Sequence, residues 1–325
     1  MSMHSLTNRY NRIVFVRKFG TAIFGLLVFI FFSLFAKNFF SWSNQMILLR
    51  QMSMLTIVSL GFTFVMAAGG FDMSLGNAAG LINIIFIMVY VTTGSLFLGI
   101  LAAALVGLCT GAVNGLLAGV IGLPDFIATF AVGTITYGLK MLISKGNPTR
   151  IPEDLGKTIF FIGQGRIGTI PFPVILMIIM VFVTMFLLKK TTLGRRIYAI
   201  GGNRTASLYS GINVRKYRFV TFLLAGLYLS MASVILTSRL GSAQPLAGED
   251  FLLDTIAAVF LSTTMFGEGE PTAEGTFVGA FIITMMTNGL TMMSVQYYFQ
   301  YITKGIVVIL SVFLSVYLGN KTKKS

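Results

Sequence analysis

Long apolar runs separated by short polar gaps organise the whole chain. A helix crossing a bilayer core needs about 20 apolar residues, with a range of roughly 17 to 25. On that ruler the pattern predicts about ten spans, at 20–36, 48–68, 74–92, 96–120, 124–143, 172–188, 219–237, 252–266, 273–291 and 297–318. The expected fold is an all-α integral membrane protein, a single transmembrane domain over 1–325, because a helix satisfies its own backbone in lipid. Arg50 stands near the start of the second span, and the short eighth runs into Phe266-Gly-Glu-Gly-Glu-Pro271. Two five-span halves would be inverted with respect to each other, a common transporter plan. The internal echo for such a repeat is Asn114-Gly-Leu116 with Asn288-Gly-Leu290.

Basic residues near span ends set orientation. With the N-terminus inside, four basic residues in 1–19 (Arg9, Arg12, Arg17, Lys18), eight in 189–218 and three in the tail 319–325 lie inside, against eight outside. That excess predicts both termini in the cytoplasm. The basic start resembles a signal peptide, but no small-residue cleavage pattern follows, so the first span is read as an anchor. The outer loop at about 145–171 carries Pro148, Pro152 and Pro171; the inner loop 189–218 contains no acidic residue.

Composition narrows the function classes. Of 325 residues 55% are hydrophobic and 10% charged, with a mean hydropathy of +0.86, whereas a soluble domain carries about 25% charged residues. The net charge of +14 invites a nucleic-acid reading, which fails because the basic residues sit in gaps between apolar runs, where membrane topology puts them. Cys109 is the only cysteine and His4 the only histidine, which excludes an internal disulfide and Cys/His metal chemistry. No cofactor is expected. Ten acidic residues include no Asp-x-x-Asp cluster, so a membrane transferase acting on a metal-bound diphosphate lacks its ligands.

Gly107, Gly111, Gly115 and Gly119 repeat every four residues within one span, tracing one helix face on which another backbone can approach closely. Gly76 with Gly80 and Gly275 with Gly279 have the same spacing. In Ala67-Ala-Gly-Gly-Phe-Asp-Met-Ser-Leu-Gly76 two glycines and a carboxylate interrupt the apolar pattern. Either Asp72 or Ser74 caps the next helix, or a helix breaks there to line a cavity; the two are compatible. Pro124 and Asp125 look like a helix start, with Asp125 a capping residue. Thr129, Asn83, Asn114, Asn288, Gln296 and Gln300 are polar residues in or near spans, each suited to a helix-to-helix hydrogen bond. Gly163-Gln-Gly165-Arg-Ile-Gly168 fits a dinucleotide fingerprint but opens no helix, and Gly156-Lys-Thr158 lacks the first glycine of a phosphate loop, which would stand at Ile151. The chain therefore carries no nucleotide site of its own.

The inner loop reads Thr191-Thr-Leu-Gly-Arg-Arg-Ile-Tyr-Ala-Ile-Gly-Gly-Asn-Arg-Thr-Ala-Ser-Leu-Tyr-Ser-Gly-Ile212. Together with the Gly69–Gly76 segment, the Leu123–Thr129 entry and Leu253–Ala258, in that order, it resembles the membrane permeases of bacterial ABC sugar importers of the ribose type. The sequence departs from that family at Leu261-Ser-Thr-Thr-Met-Phe-Gly-Glu-Gly269 and at Phe71 and Met73, which leaves the sugar open. The resemblance implies a non-catalytic inner-membrane subunit, paired with a second permease subunit, two cytoplasmic ATP-binding subunits and an extracytoplasmic sugar-binding protein. It implies a coupling helix in the inner loop, with Arg204, Ala206, Ser207, Tyr209 and Gly211 at the ATPase. Asp72, Ser74, Asn77, Phe126, Thr129, Asp254 and Asn288 are the candidate substrate path. A branched-chain amino-acid permease of the same plan is the alternative, and a proton-driven secondary transporter using Asp72 or Asp254 another.

Overall fold

The computed structural model describes residues 23–265 and 269–322. The N-terminal stretch 1–19 with its basic cluster, residues 266–268 of the Gly/Glu-rich stretch and the last tail residues 323–325 lie outside them. The chain forms helices α1 (Ile23–Phe35), α2 (Trp42–Ala67), α3 (Leu75–Thr93), α4 (Leu96–Asn114, prolonged by a π-helical stretch Gly115–Ile121), α5 (Asp125–Ser144), α6 (Glu153–Gln164), α7 (Phe172–Lys190), α8 (Thr192–Gly202), α9 (Arg204–Tyr209), α10 (Val214–Leu240), α11 (Phe251–Met265), α12 (Ala273–Met292) and α13 (Tyr297–Thr322). Seven of them, α2, α3, α4 with its prolongation, α5, α7, α10 and α12, are long and apolar enough to cross a membrane, and α1 and α11 are shorter apolar helices. The chain is an all-α membrane protein. Two-residue strands β1 (Thr149–Arg150) and β4 (Ser242–Ala243) pair antiparallel, as do β2 (Arg166–Ile167) and β3 (Ile170–Pro171).

Several boundaries differ from those the apolar pattern predicts, and capping explains them. α2 begins at Trp42, ahead of 48, because Ser41 accepts a hydrogen bond from Asn44 N at 3.3 Å. α10 begins at Val214, ahead of 219, because Asn213 accepts from Lys216 N at 3.0 Å; this brings Arg215, Lys216 and Arg218 onto the helix. The outer loop is not irregular throughout, since α6 forms between Pro152 and Gly165. α13 continues to Thr322, through the first residues of the expected tail. Charged residues end an apolar count but do not end a helix, whose limits follow the first and last satisfied backbone groups.

α2, α3 and α10 are the most enclosed long helices, with α4, α5 and α7 around them. The four-residue glycine repeat of α4 lies against α10. A Cβ added at Gly107 would stand 1.9 Å from Ser230 Oγ and 2.3 Å from the Gly226 carbonyl, and one at Gly111 2.4 Å from the Phe222 carbonyl. A Cβ at Gly226 would in return stand 2.0 Å from the Gly107 carbonyl, and Ser230 Oγ donates to the Ala103 carbonyl at 3.0 Å. With no hydrophobic drive between helices in lipid, this backbone contact and its hydrogen bond hold the pair.

Gly107→Ala or Gly226→Ala should therefore destabilise the protein by about 1–3 kcal/mol, the usual range for overpacking. Gly138→Ala, where a Cβ meets nothing within 4 Å, should be neutral or stabilising by about 0.5–1 kcal/mol. Thermal unfolding of the three variants in detergent checks this; equal melting would remove the close contact as a source of stability.

Candidate functional site

Between Ala67 and Leu75 the chain leaves helical geometry, with Gly69 at φ 69°. Backbone amides freed away from water must find partners. Gly70 N donates to the Val65 carbonyl at 2.9 Å, Phe71 N to Asp125 Oδ2 at 3.0 Å, Met73 N to Thr129 Oγ1 at 2.9 Å and Ser74 N to Asp72 Oδ1 at 2.8 Å. Ser74 Oγ also donates to Asp72 Oδ1, at 2.6 Å, and accepts from Asn114 Nδ2 at 2.8 Å. Asp125 is in turn ion-paired to Arg218 of α10, both side chains being largely buried. Gly70 lets this carboxylate approach: a Cβ there would stand 3.0 Å from Asp125 Oδ2.

These partners refine the sequence expectations. Asp72 closes a local turn onto Ser74 rather than capping the first turn of α3, and Ser74, at the N-cap position, makes no side-chain cap. Asp125 stands just after the N-cap Pro124, and its bonds go to Arg218 and Phe71.

Next to the break lies a cavity of about 330 Å³, lined by Met73, Gly76, Asn77, Tyr137, Glu249 and Leu252. One wall is the irregular chain 244–250, which leads from β4 to α11 over the Gly76 and Gly80 face of α3. A Cβ would come within 3.0 Å of the Glu249 carbonyl at Gly76 and 2.4 Å of the Pro245 carbonyl at Gly80. Behind the lining, Lys140 of α5 has 0% exposure. Its Nζ donates to Asn77 Oδ1 and to Glu249 Oε1, each at 3.0 Å, and lies 5.0 Å from the Tyr137 ring centroid.

The cavity opens on the flank of the bundle, where Tyr137 is exposed, partway along its helices. α3 and α5 run side by side in the same direction, Gly133 touching Ser74 and Lys140 touching Gly80. At 1.5 Å per residue Asn77 is about 24 Å from the Thr93 end of α3, and Tyr137 about 18 Å from the Asp125 end of α5. With these two helix ends at the opposite membrane faces, the cavity lies between them, within a hydrocarbon core of about 30 Å.

Of the candidate path residues, Asn77 lines this cavity, Asp72 and Ser74 lie behind it in the turn, and Thr129 holds the Met73 amide. The others are elsewhere. Phe126 projects from α5, more than half exposed and stacked on Phe130 at 6.2 Å. Asp254 pairs with Lys304 of α13 at 2.9 Å. Asn288 and Asn44 exchange amide hydrogen bonds at 3.0 and 3.1 Å. Lys140, Glu249 and Tyr137 are the residues that sequence reasoning passed over. The available signal was a lone lysine far into the apolar run 124–143, since an ionisable residue at membrane depth is a functional hypothesis by default.

The inner loop folds into α8 and α9, each started by a side-chain cap: Thr191 accepts from Gly194 N at 3.3 Å and Asn203 from Ala206 N at 2.9 Å. Arg204, Tyr209 and Gly211 border a hollow of about 600 Å³ with Leu208, Ile212 and Arg215; Tyr209 is 86% exposed, whereas Ser207 is buried. Gly211 has φ 79°, a conformation that other L-residues rarely adopt. Two of the contacts that tie α8 to the rest of the bundle reach α2 and the start of α12. Tyr198 Oη donates to the Pro271 carbonyl at 2.8 Å, and burial, with Glu270 and Glu274 nearby, pushes this phenol above its ordinary pKa. A Cβ at Gly201 would stand 2.1 Å from the Ala67 carbonyl, so α8 abuts the break after α2.

Residues 44–312 match the family described as branched-chain amino acid transport system / permease component. The ribose import permease protein RbsC of Bacillus subtilis (strain 168) is 37% identical over 318 residues, covering 97% of this chain and 98% of that protein. The chain belongs to the ribose-type ABC permease family. RbsC of Haemophilus influenzae is 36% identical over 290 residues, 89% of the permease and 90% of that protein. The D-allose transport system permease protein AlsC of Escherichia coli (strain K12) is 33% identical over 308 residues, 94% of the permease and 93% of AlsC. No solved structure matches the permease. Proteins with sugar names thus fall alongside a family description that names amino acids, and the description alone does not choose the solute. Permease components of ABC importers are non-catalytic membrane subunits, with ATP hydrolysis in a partner.

Asp72→Ala should strand the Ser74 amide and hydroxyl, which both donate to Asp72 Oδ1, at about 1–3 kcal/mol per unsatisfied buried group. Asp72→Asn keeps an acceptor for Ser74 and offers an NH2 group to Asn114 Oδ1, which otherwise has no partner, so it should unfold near the wild-type temperature and support normal uptake. Loss of uptake by Asp72→Asn at wild-type stability would instead put the carboxylate in the solute path.

Proposed function

We propose that the permease forms the membrane path of an ATP-driven importer for a monosaccharide or related polyol. The observation that carries this reading is the 37% identity to a ribose import permease along 97% of the chain. The polar cavity at mid-depth supports it, because a path for a hydroxylated solute needs hydrogen-bonding groups where lipid offers none. Ribose, named in two of the relatives, is the first candidate. The amino-acid alternative is not favoured, since RbsC and AlsC are named for sugars. Nor is a proton-driven carrier, because Asp72 is engaged in a turn and Asp254 in an ion pair.

In this reading the chain has ten spans with both termini, 1–19 and 319–325, in the cytoplasm, arranged as two inverted five-helix halves. A second permease subunit faces Glu249, whose side chain is 44% exposed in the single chain at a depth where a carboxylate is expensive against lipid. The 189–218 segment meets the cytoplasmic ATP-binding subunit through Arg204, Ala206, Ser207, Tyr209 and Gly211, and a sugar-binding protein delivers solute at the α6 end. The Gly201 contact with the end of α2 supports transmission from the docked loop to the break and the cavity beside it.

Radiolabelled ribose uptake into proteoliposomes should require the permease, its ATPase, its binding protein and ATP together. Uptake that persists without the ATPase would refute the importer reading. Ala206→Glu should abolish co-purification of the ATPase while leaving membrane insertion intact; unchanged recovery would move the coupling surface elsewhere. Orientation has its own check, in a Cys109→Ala background: single cysteines in 150–165 should react with an impermeant reagent from outside, and those in 200–210 only after the cells are opened.

A further inference from the structure

Lys140 is sealed away from the cavity, so it cannot touch a solute; its effect is on the two groups it holds. Glu249 gives Oε1 to the ammonium, while Oε2 has no protein partner among the described residues. Asn77 turns its amide oxygen to the same ammonium. That choice fixes the amide, since a lysine only donates, and leaves the Asn77 NH2 group without a partner among the described residues. An open carboxylate acceptor and an open amide donor therefore stand side by side on one wall of the cavity. Tyr137, Met73 and Leu252 supply apolar surface around them.

We infer that Glu249 and Asn77 form a hydroxyl-binding subsite for a neutral monosaccharide within the membrane path, with Lys140 as the residue that positions both. A hydroxyl both donates and accepts, so neighbouring sugar hydroxyls match an acceptor beside a donor. Hydrogen bonds to a carboxylate are among the stronger neutral-to-charged contacts. The cavity stands at the low end of the roughly 300–1,000 Å³ range of ligand pockets, suited to one small solute. Lys140 and Glu249 cancel in charge, so the subsite offers no counter-charge to a sugar phosphate, and a phosphorylated sugar would bring an uncompensated charge to membrane depth. The inference rests on the importer reading.

The test uses the assembled transporter in proteoliposomes, with D-ribose uptake and ATP hydrolysis measured in the same vesicles. Lys140→Met combined with Glu249→Gln removes both charges together, which avoids a stranded buried ion. Asn77→Ala removes the donor. Ribose uptake per ATP hydrolysed should fall by about tenfold or more in the double variant, the loss of a hydrogen bond to a charged group, and by about two- to tenfold in Asn77→Ala, the loss of a neutral one, with ATP hydrolysis and ATPase recovery close to wild type. Wild-type uptake by the double variant would overturn the subsite and leave the pair a link between α5 and the chain before α11. A second measurement leaves the charged pair intact: Leu252→Cys in a Cys109→Ala background should be labelled by a small water-soluble thiol reagent, and D-ribose but not D-ribose 5-phosphate should slow that labelling during turnover. Equal labelling with and without ribose overturns the inference. A wild-type assembly that takes up no monosaccharide with ATP removes the importer reading itself, a different result from a transporting assembly whose variants transport equally well.

Discussion

The break between α2 and α3 exists because side chains, two from the distant α5 and one within the break itself, take up its backbone amides. Asp125, Thr129 and Asp72 each accept one, and the first is held by Arg218. Irregular backbone is tolerated at membrane depth only when enclosed in protein or lining a cavity, and here both conditions meet. The ion pair does more than satisfy an amide, for it joins the break to α5 and to the start of α10. Removing Arg218 alone would leave a largely buried carboxylate without its partner, a class of change that typically costs about 3–5 kcal/mol. The same short segment touches α8 through Ala67 and Gly201, so the surface loop, the break and the cavity form one continuous set of contacts.

Glycines decide where backbones come close, and they serve two different ends. Along α4 they permit a helix-on-helix contact with α10, in which carbonyls and Cα atoms meet directly. On α3, Gly76 and Gly80 admit the irregular chain 244–250 instead, and so bring Glu249 to a depth that a side chain reaching in from the end of the bundle could not attain. The first arrangement makes a stiff pair. The second makes room for a polar wall.

Much of the fold was legible because lipid restricts the choices. An apolar run of span length has to be a helix, and glycines spaced by four have to lie on one face. Helix limits were less legible: Ser41 and Asn213 start their helices ahead of the apolar count, and α6 lies between a proline and a glycine that each admit several readings. The cavity was nearly invisible. Lys140 and Glu249 are 109 positions apart, and by sign alone Lys140 looks like an orienting charge near a span end. Asp125 shows the same limit from the other side. Its local pattern is fully explained by a helix start, so nothing nearby points to Arg218, 93 positions away.

The pairing of Lys140 with Glu249 also bears on how the membrane potential acts on this protein. A single charge carried through 100 mV exchanges about 2.3 kcal/mol with the field, and an isolated lysine or glutamate at this depth would make any movement of its helix voltage-dependent. Joined at 3.0 Å, the two present only a short dipole. Rearrangements of α3, α5 and the chain before α11 that keep the pair together transfer almost no gating charge, and an uncharged solute passing beside them adds none. The movement of such a wall is electrically silent, the same whether or not the membrane is polarised.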